Sequence, residues 1–278
     1  MSRWVPKVYA GIGYDYAAIF EPDFCQRCNG LMLRSGEVLR EVYCAAFPTP
    51  GVIRELLTRA SGDALLFLHH PVDLEVSGVG FLPIPPDCLE LLKARGVSIY
   101  ACHAPMDCHD QIGTTAAIVQ AFGVTVERSF APYGRGFAGR IGVIDELSAD
   151  ALAGKGRRVF GVERTEIGGG RPAAISRVAI VAGGGDEVEL FREAQRWGAQ
   201  AFITGEWYTR TRPRDEEGRR WAQANRAACR AYADSSQMAF LGFSHAASEY
   251  LVMRQQMASY FEQQGLRVRC LAQSDWWR

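Results

Sequence analysis

A chain of 278 residues, 48% hydrophobic and 22% charged, has an ordinary globular composition and the length for one large domain or two α/β lobes. Lysine plus arginine and aspartate plus glutamate both number 31, so the net charge is zero and gives no electrostatic basis for binding nucleic acid or an anionic membrane. No apolar run reaches the roughly 18 residues of a spanning helix and no charged-then-apolar leader opens the chain, so the expectation is a soluble, cytoplasmic protein.

The predicted elements follow in chain order. The first thirty-odd residues read as irregular. Cys25 and Cys28 there share the C-x-x-C spacing of zinc knuckles and redox sites, but no second close pair follows, and eight scattered cysteines point to reduced thiols. Val38 to Phe47 reads as a strand and Gly51 to Arg59 as a helix. Ala64 to Leu68 is a strand buried on both faces, which ends where Pro71 follows His69 and His70. Leu89 to Arg95 reads as a helix closed by Gly96, and Val97 to Cys102 as the next strand. His103 to Asp110 reads as a polar loop, and Gln111 to Phe122 as a helix capped by Gly123.

From Val124 to Val162 the pattern loosens into antiparallel strands, and Gly168 to Pro172 reads as a loop and a seam between lobes. A second α/β run follows: a strand at Val178 to Ala182, a tight turn at Gly183-Gly184-Gly185, and a helix from Glu187 to Trp197. A strand from Ala201 to Thr204 ends in Gly205-Glu206, and Arg210 to Arg220 reads as a solvated stretch. Trp221 to Ala233 is helical, Met238 to Phe243 a strand, Ala246 to Gln263 a long helix, and Leu266 to Leu271 a final strand. Strand alternating with helix predicts α/β layers with parallel or mixed pairing.

Polar groups at the carboxyl ends of α/β strands are where such folds place their sites. His69 and His70 leave an extended backbone in opposite directions, so each suits a different ion. His245 and Glu249 lie four apart at a helix start and share one face. Asp107 adds a carboxylate beyond the next strand, with His103 and His109 beside it. All five histidines of the chain fall at the ends of predicted strands or just beyond them. That clustering points to a metal site. Imidazoles and carboxylates without thiolate suit zinc, iron, manganese, cobalt or nickel. His103 and His109 read either as proton carriers, imidazole titrating near neutrality, or as groups that orient Asp107.

These residues resemble the dinuclear-metal-centre proteins known as GTP cyclohydrolase I type II homologs, or the Ngg-interacting-factor-like family. The resemblance rests on His69-His70-Pro71, the His103-to-Asp107 loop, Gly183-Gly184-Gly185, Thr204-Gly205-Glu206 and His245-x-x-x-Glu249. It implies two intertwined α/β lobes with mixed sheets, residues 1–128 and 129–278, with two divalent metal ions per chain between them. The ligands it implies are His69, His70, Asp107, His245 and Glu249, the glutamate bridging. It also implies a homo-hexamer. The chain departs from the family at Ala104-Pro105-Met106, where Thr-Asn-Leu is usual, and at Trp207-Tyr208, where histidines are common. The ligands are kept while the pocket wall changes, which bears on substrate more than on metal. The expectation is a metal-dependent hydrolase acting on a small nucleotide-like or heterocyclic molecule. A phosphoester hydrolase and a non-catalytic metal-containing binding or regulatory protein are the alternatives.

Overall fold

The run Leu65-Leu66-Phe67-Leu68 has no polar face to offer water, and in the structure it is buried from end to end as a central strand. The structure, a computed structural model, describes residues 5–75, 80–210 and 216–277. Its contacts divide the chain into two units. The first takes the chain up to His103 and again from Met253 to Trp276, and the second takes Ala104–Val252.

In the first unit the strands are β1 (Gly30–Leu33), β2 (Glu41–Ala45), β3 (Ala64–Leu68), the small pair β4 (Asp73–Glu75) and β5 (Gly80–Leu82), and β6 (Val97–Ala101). The main sheet runs β1, β6, β3, β2 and then the strand Arg267–Cys270, all parallel except β1. Helix Pro50–Arg59 starts after β2 because Thr49 accepts the amide of Val52 at 3.1 Å and Pro50 supplies a preset φ. The apolar face formed by Val52, Ile53 and Leu56 is buried in the core with Leu66, Leu68 and Ile99. The register carries the functional consequence. Ala45, Leu68 and Ala101 stand level across three parallel strands, so the residues that follow each of them emerge side by side.

The second unit is built on β7 (Thr125–Tyr133), β8 (Gly136–Leu147), β9 (Glu166–Gly169), β10 (Ile175–Gly184), β11 (Ala201–Glu206) and β12 (Ala239–Gly242). Their sheet order is β7, β8, β10, β11, β12, β9, parallel at β10–β11–β12 and antiparallel elsewhere. Phe191, Phe202 and Phe240 form an edge-on aromatic core above it. The fold class is therefore α/β with two mixed sheets. No described helix is long and apolar enough to cross a membrane.

Several elements differ from the sequence expectation. The opening residues are not irregular: helices Val5–Ala10 and Pro22–Arg27 bury Tyr9, Phe20 and Phe24 as an aromatic cluster, which no local periodicity announces. The polar loop after β6 contains a helical turn, Ala104–Cys108. Helix Ala149–Phe160, capped by Ser148 on the amide of Ala151, interrupts the expected run of strands. Gly168 and Gly169 are not a seam but the end of edge strand β9. A side chain at Gly169 would meet the carbonyl of Met238 at 2.2 Å, so glycine permits the pairing with β12. The C-terminal strand returns to the first unit by pairing with β2. Residues 211–215 of the mixed-charge stretch lie outside the described residues, and helix Glu216–Ser235 follows them.

Candidate metal centre

In the first unit, the strand ends bring three histidines together. The amides of His69 and His70 donate to the carbonyls of Ala45 and Ala46, and that of Cys102 donates to Leu68, so the ladder extends past each strand before the chain turns. His69 and His103 stack at 4.6 Å between centroids, and His70 meets both edge-on. One ring nitrogen from each of the three lies within 4.8 Å of the others. Two nitrogens at about 2.1 Å from one zinc ion stand at most about 4.2 Å apart, so ring movements under about 1 Å close this set around an ion. Each ring is held. His69 Nδ1 is 2.9 Å from the carbonyl of Cys102, a contact that protonates Nδ1 and presents Nε2 as a ligand atom. His70 stacks on Phe47 at 4.0 Å and 10°. His69 and His70 are buried, and imidazole is a donor suited to a divalent ion.

In the second unit, β12 delivers His245 through a strained corner. Ser244 has φ +82°, a region few residues other than glycine adopt, and its hydroxyl accepts the amide of Ala247 at 3.2 Å to start the helix. His245 Nε2 is then 3.1 Å from Glu249 Oε1, one turn on, with Glu249 buried. Gly183 passes so close that a Cβ there would meet that same oxygen at 2.2 Å. The triple glycine therefore makes room for a carboxylate and an imidazole, and its amide at Gly183 donates to Ser248 Oγ at 2.9 Å. Burial alone would lower the proton affinity of His245, but Glu249 and Glu206 outweigh it and hold the pKa well above the ordinary histidine value.

Asp107 sits in the turn Ala104–Cys108, and its Oδ1 accepts the hydroxyl of Thr114 at 3.0 Å. The Tyr133 phenol is pushed up to about 12, first by burial and then by the charges of Asp107 and Glu249. His109 is exposed, and its Nδ1 accepts the amides of Gln111 and Ile112 at 3.1 and 3.0 Å, a loop-capping task.

The structure thus groups His69 with His70, whose ring nitrogens come together where the extended-backbone expectation put each toward a different ion, and His245 with Glu249. It adds His103 to the first pair as a third imidazole, a residue the sequence reads either as a proton carrier or as a group that orients Asp107. The signal lies in the equal spacing of His70 and His103 beyond two buried strands. Tyr133 carries no such signal, since only the β7–β8 turn brings it near, while Glu206 is marked in sequence by its place at the end of a strand in Thr204-Gly205-Glu206 but not by any sign of its partner. The cysteines of the C-x-x-C pair belong to packing. Cys28 is a buried left-handed helix cap, and burial raises both thiols.

Comparison with known proteins places this geometry in context. The family model for Duf34/NIF3 (NGG1p interacting factor 3) matches residues 25–219. A GTP cyclohydrolase 1 type 2 homolog of Pyrococcus horikoshii is 30% identical over 186 residues, 64% of this chain and 69% of that protein. The homolog of the same name in Escherichia coli is 26% identical over 181 residues, with the same coverage. The fold is similar to that of the solved protein ybgI, at 20% identity, 99% and 98% coverage and a TM-score of 0.65. It is also similar to reduced HcgD from Methanocaldococcus jannaschii, at 14% identity, 88% and 89% coverage and a TM-score of 0.63.

Proposed function

The chain belongs to the Duf34/NIF3 family, and from that premise we propose that it is a dinuclear-metal hydrolase acting on a small nucleotide-like or heterocyclic molecule. The observation that carries the reading is the convergence of His69, His70 and His103, with ligand atoms within 4.8 Å. We also assign Asp107, His245 and Glu249 as metal ligands, Glu249 supplying negative charge to the bound dications. Bound ions would supply Lewis acidity, lowering the pKa of water and steadying a developing oxyanion. The chain's own part is to hold the donors. Cys102 and Phe47 fix the rings of His69 and His70, and Thr114 fixes the carboxylate of Asp107. Tyr133, kept protonated near Asp107 and Glu249, is suited to donate a hydrogen bond to a substrate oxygen.

The name shared by the curated relatives supports a cyclohydrolase-type ring opening as the reaction class. A phosphoester hydrolase would use the same donors, and a binding or regulatory protein would use them without turnover. We further propose a homo-hexameric assembly in the cytoplasm, with no nucleic-acid or membrane partner. The test is elemental analysis of protein purified without chelator and reconstituted with zinc, manganese, iron, cobalt and nickel in turn, followed by a metabolite screen. Two equivalents of metal in the parent, and at most one in His69→Ala, are expected. Turnover that disappears on chelation separates enzyme from binder. Less than one equivalent under all five conditions overturns the metal reading.

A further inference from the structure

The imidazole of His245 lies between two carboxylates of its own unit. Nε2 is 3.1 Å from Glu249 Oε1, and Nδ1 is 3.9 Å from Glu206 Oε2. Glu206 ends β11, the parallel neighbour of the strand that leads into His245, and its side chain is only 6% exposed. A carboxylate buried that deeply needs a cation or donor facing it. Two polar groups beside it do not serve. Asp186 is a like charge, and the Thr204 hydroxyl is turned to the carbonyls of Gly183 at 3.1 Å and of Glu206 itself at 3.5 Å. The approach of β11 to the helix start is also tight. A Cβ at Gly205 would meet the Cα of His245 at 2.7 Å.

We propose, on the reading of His245 and Glu249 as metal ligands, that Glu206 is a positioning residue: it accepts a hydrogen bond from the Nδ1–H of His245 and so turns Nε2, beside Glu249, toward the ion. A histidine ring can present either nitrogen, and a hydrogen bond at one decides which nitrogen binds metal. The 3.9 Å separation is that of an ion pair, and a movement of about 1 Å brings it to hydrogen-bond length. A carboxylate on Nδ1 also makes Nε2 more basic, which strengthens its bond to a dication.

The experiment compares zinc affinity, by competition with a chromophoric chelator, in the full chain and in Glu206→Gln and Glu206→Asp. Glu206→Gln is expected to lose about 10–100-fold in affinity, Glu206→Asp to recover part of that loss, and the metal-free variants to melt close to the parent. Unchanged affinity in Glu206→Gln overturns the proposal. A second arm follows the ring nitrogens of His245 by NMR in histidine-labelled protein. The expected pattern is a downfield Nδ1 proton that moves in Glu206→Gln, with zinc perturbing Nε2. Zinc perturbing Nδ1 instead overturns the proposal. Because the Nδ1 proton is read in metal-free protein too, a parent that binds no zinc while that proton still responds to Glu206→Gln removes the metal reading alone.

Discussion

Replacing Gly183 by alanine separates the stability of the fold from the integrity of the site. The position has φ +66°, and a left-handed alanine costs roughly 1–2 kcal/mol. The added methyl would stand 2.2 Å from Glu249 Oε1, 3.0 Å from His245 Nε2 and 3.1 Å from Glu249 Cδ. All three neighbours are side-chain atoms, so the strain is relieved by turning the carboxylate rather than by moving backbone. Ordinary contact needs roughly 3.5 Å, so Oε1 must retreat by about 1 Å. A ligand set tolerates only about 0.5 Å before it stops working. The expected outcome is therefore a folded variant whose melting temperature falls by a few degrees, while zinc affinity falls at least about tenfold. Circular dichroism on heating and chelator competition measure the two effects separately. Gly183→Ala binding zinc as the parent does would show that the Glu249 carboxylate is not a ligand in this position.

Gly205→Ala is the contrasting case, since two of its three close neighbours are backbone atoms, Gly183 O at 2.6 Å and His245 Cα at 2.7 Å. It should unfold well before Gly183→Ala in the same melt. Glu249→Gln keeps shape and removes charge, so elemental analysis should show one ion lost or much weakened while the melting temperature of the metal-free protein stays near that of the parent. Cys229 is buried, donates to the carbonyl of Asp186 at 3.3 Å, and has its thiol pushed up to about 12 by burial. The unfolded chain gives up that proton near pH 9, so this thiol's contribution to stability should be full below pH 9 and decline as pH rises toward 12. Comparing urea midpoints of the parent and Cys229→Ala across pH 8–11 isolates that slope, and equal slopes would refute it. Light scattering at micromolar concentration should give the mass of a hexamer, and a monomer would refute that assembly.

Much of the site was legible because polar residues interrupt strong local patterns. Leu65 to Leu68 permits one reading, a doubly buried strand, and His69-His70 can then only sit at its end. The four-residue step from His245 to Glu249 likewise survives as a shared helix face, although the long helix expected from Ala246 to Gln263 is broken by a π segment at Met253–Met257. What stayed hidden depends on register and on tertiary packing. His103 joins His69 and His70 only because Ala101 pairs with Leu68. Glu206 faces His245 only because β11 and β12 run level. Helix Ala149–Phe160 holds two glycines, Gly154 and Gly156, that look like loop in one dimension, yet Gly156 is there because a Cβ would strike the ring of Phe243 at 2.2 Å. Trp277, near the end of the chain, has Arg164 stacked over it at 4.5 Å.

The pairing of Arg267–Cys270 with Glu41–Ala45 has a temporal side. The central sheet of the first unit gains its edge strand only when residue 270 has left the ribosome, more than two hundred residues after β2 was made. The second unit is one continuous stretch, Ala104–Val252, and all its strands are available earlier. At roughly 5–20 residues per second, β2 waits on the order of ten seconds or more for its outer neighbour. In that interval the unpaired side of β2 is a template for another chain, the hazard that open strand edges carry. Synthesis order thus makes the strands of the second unit available before the histidine-bearing sheet can be completed.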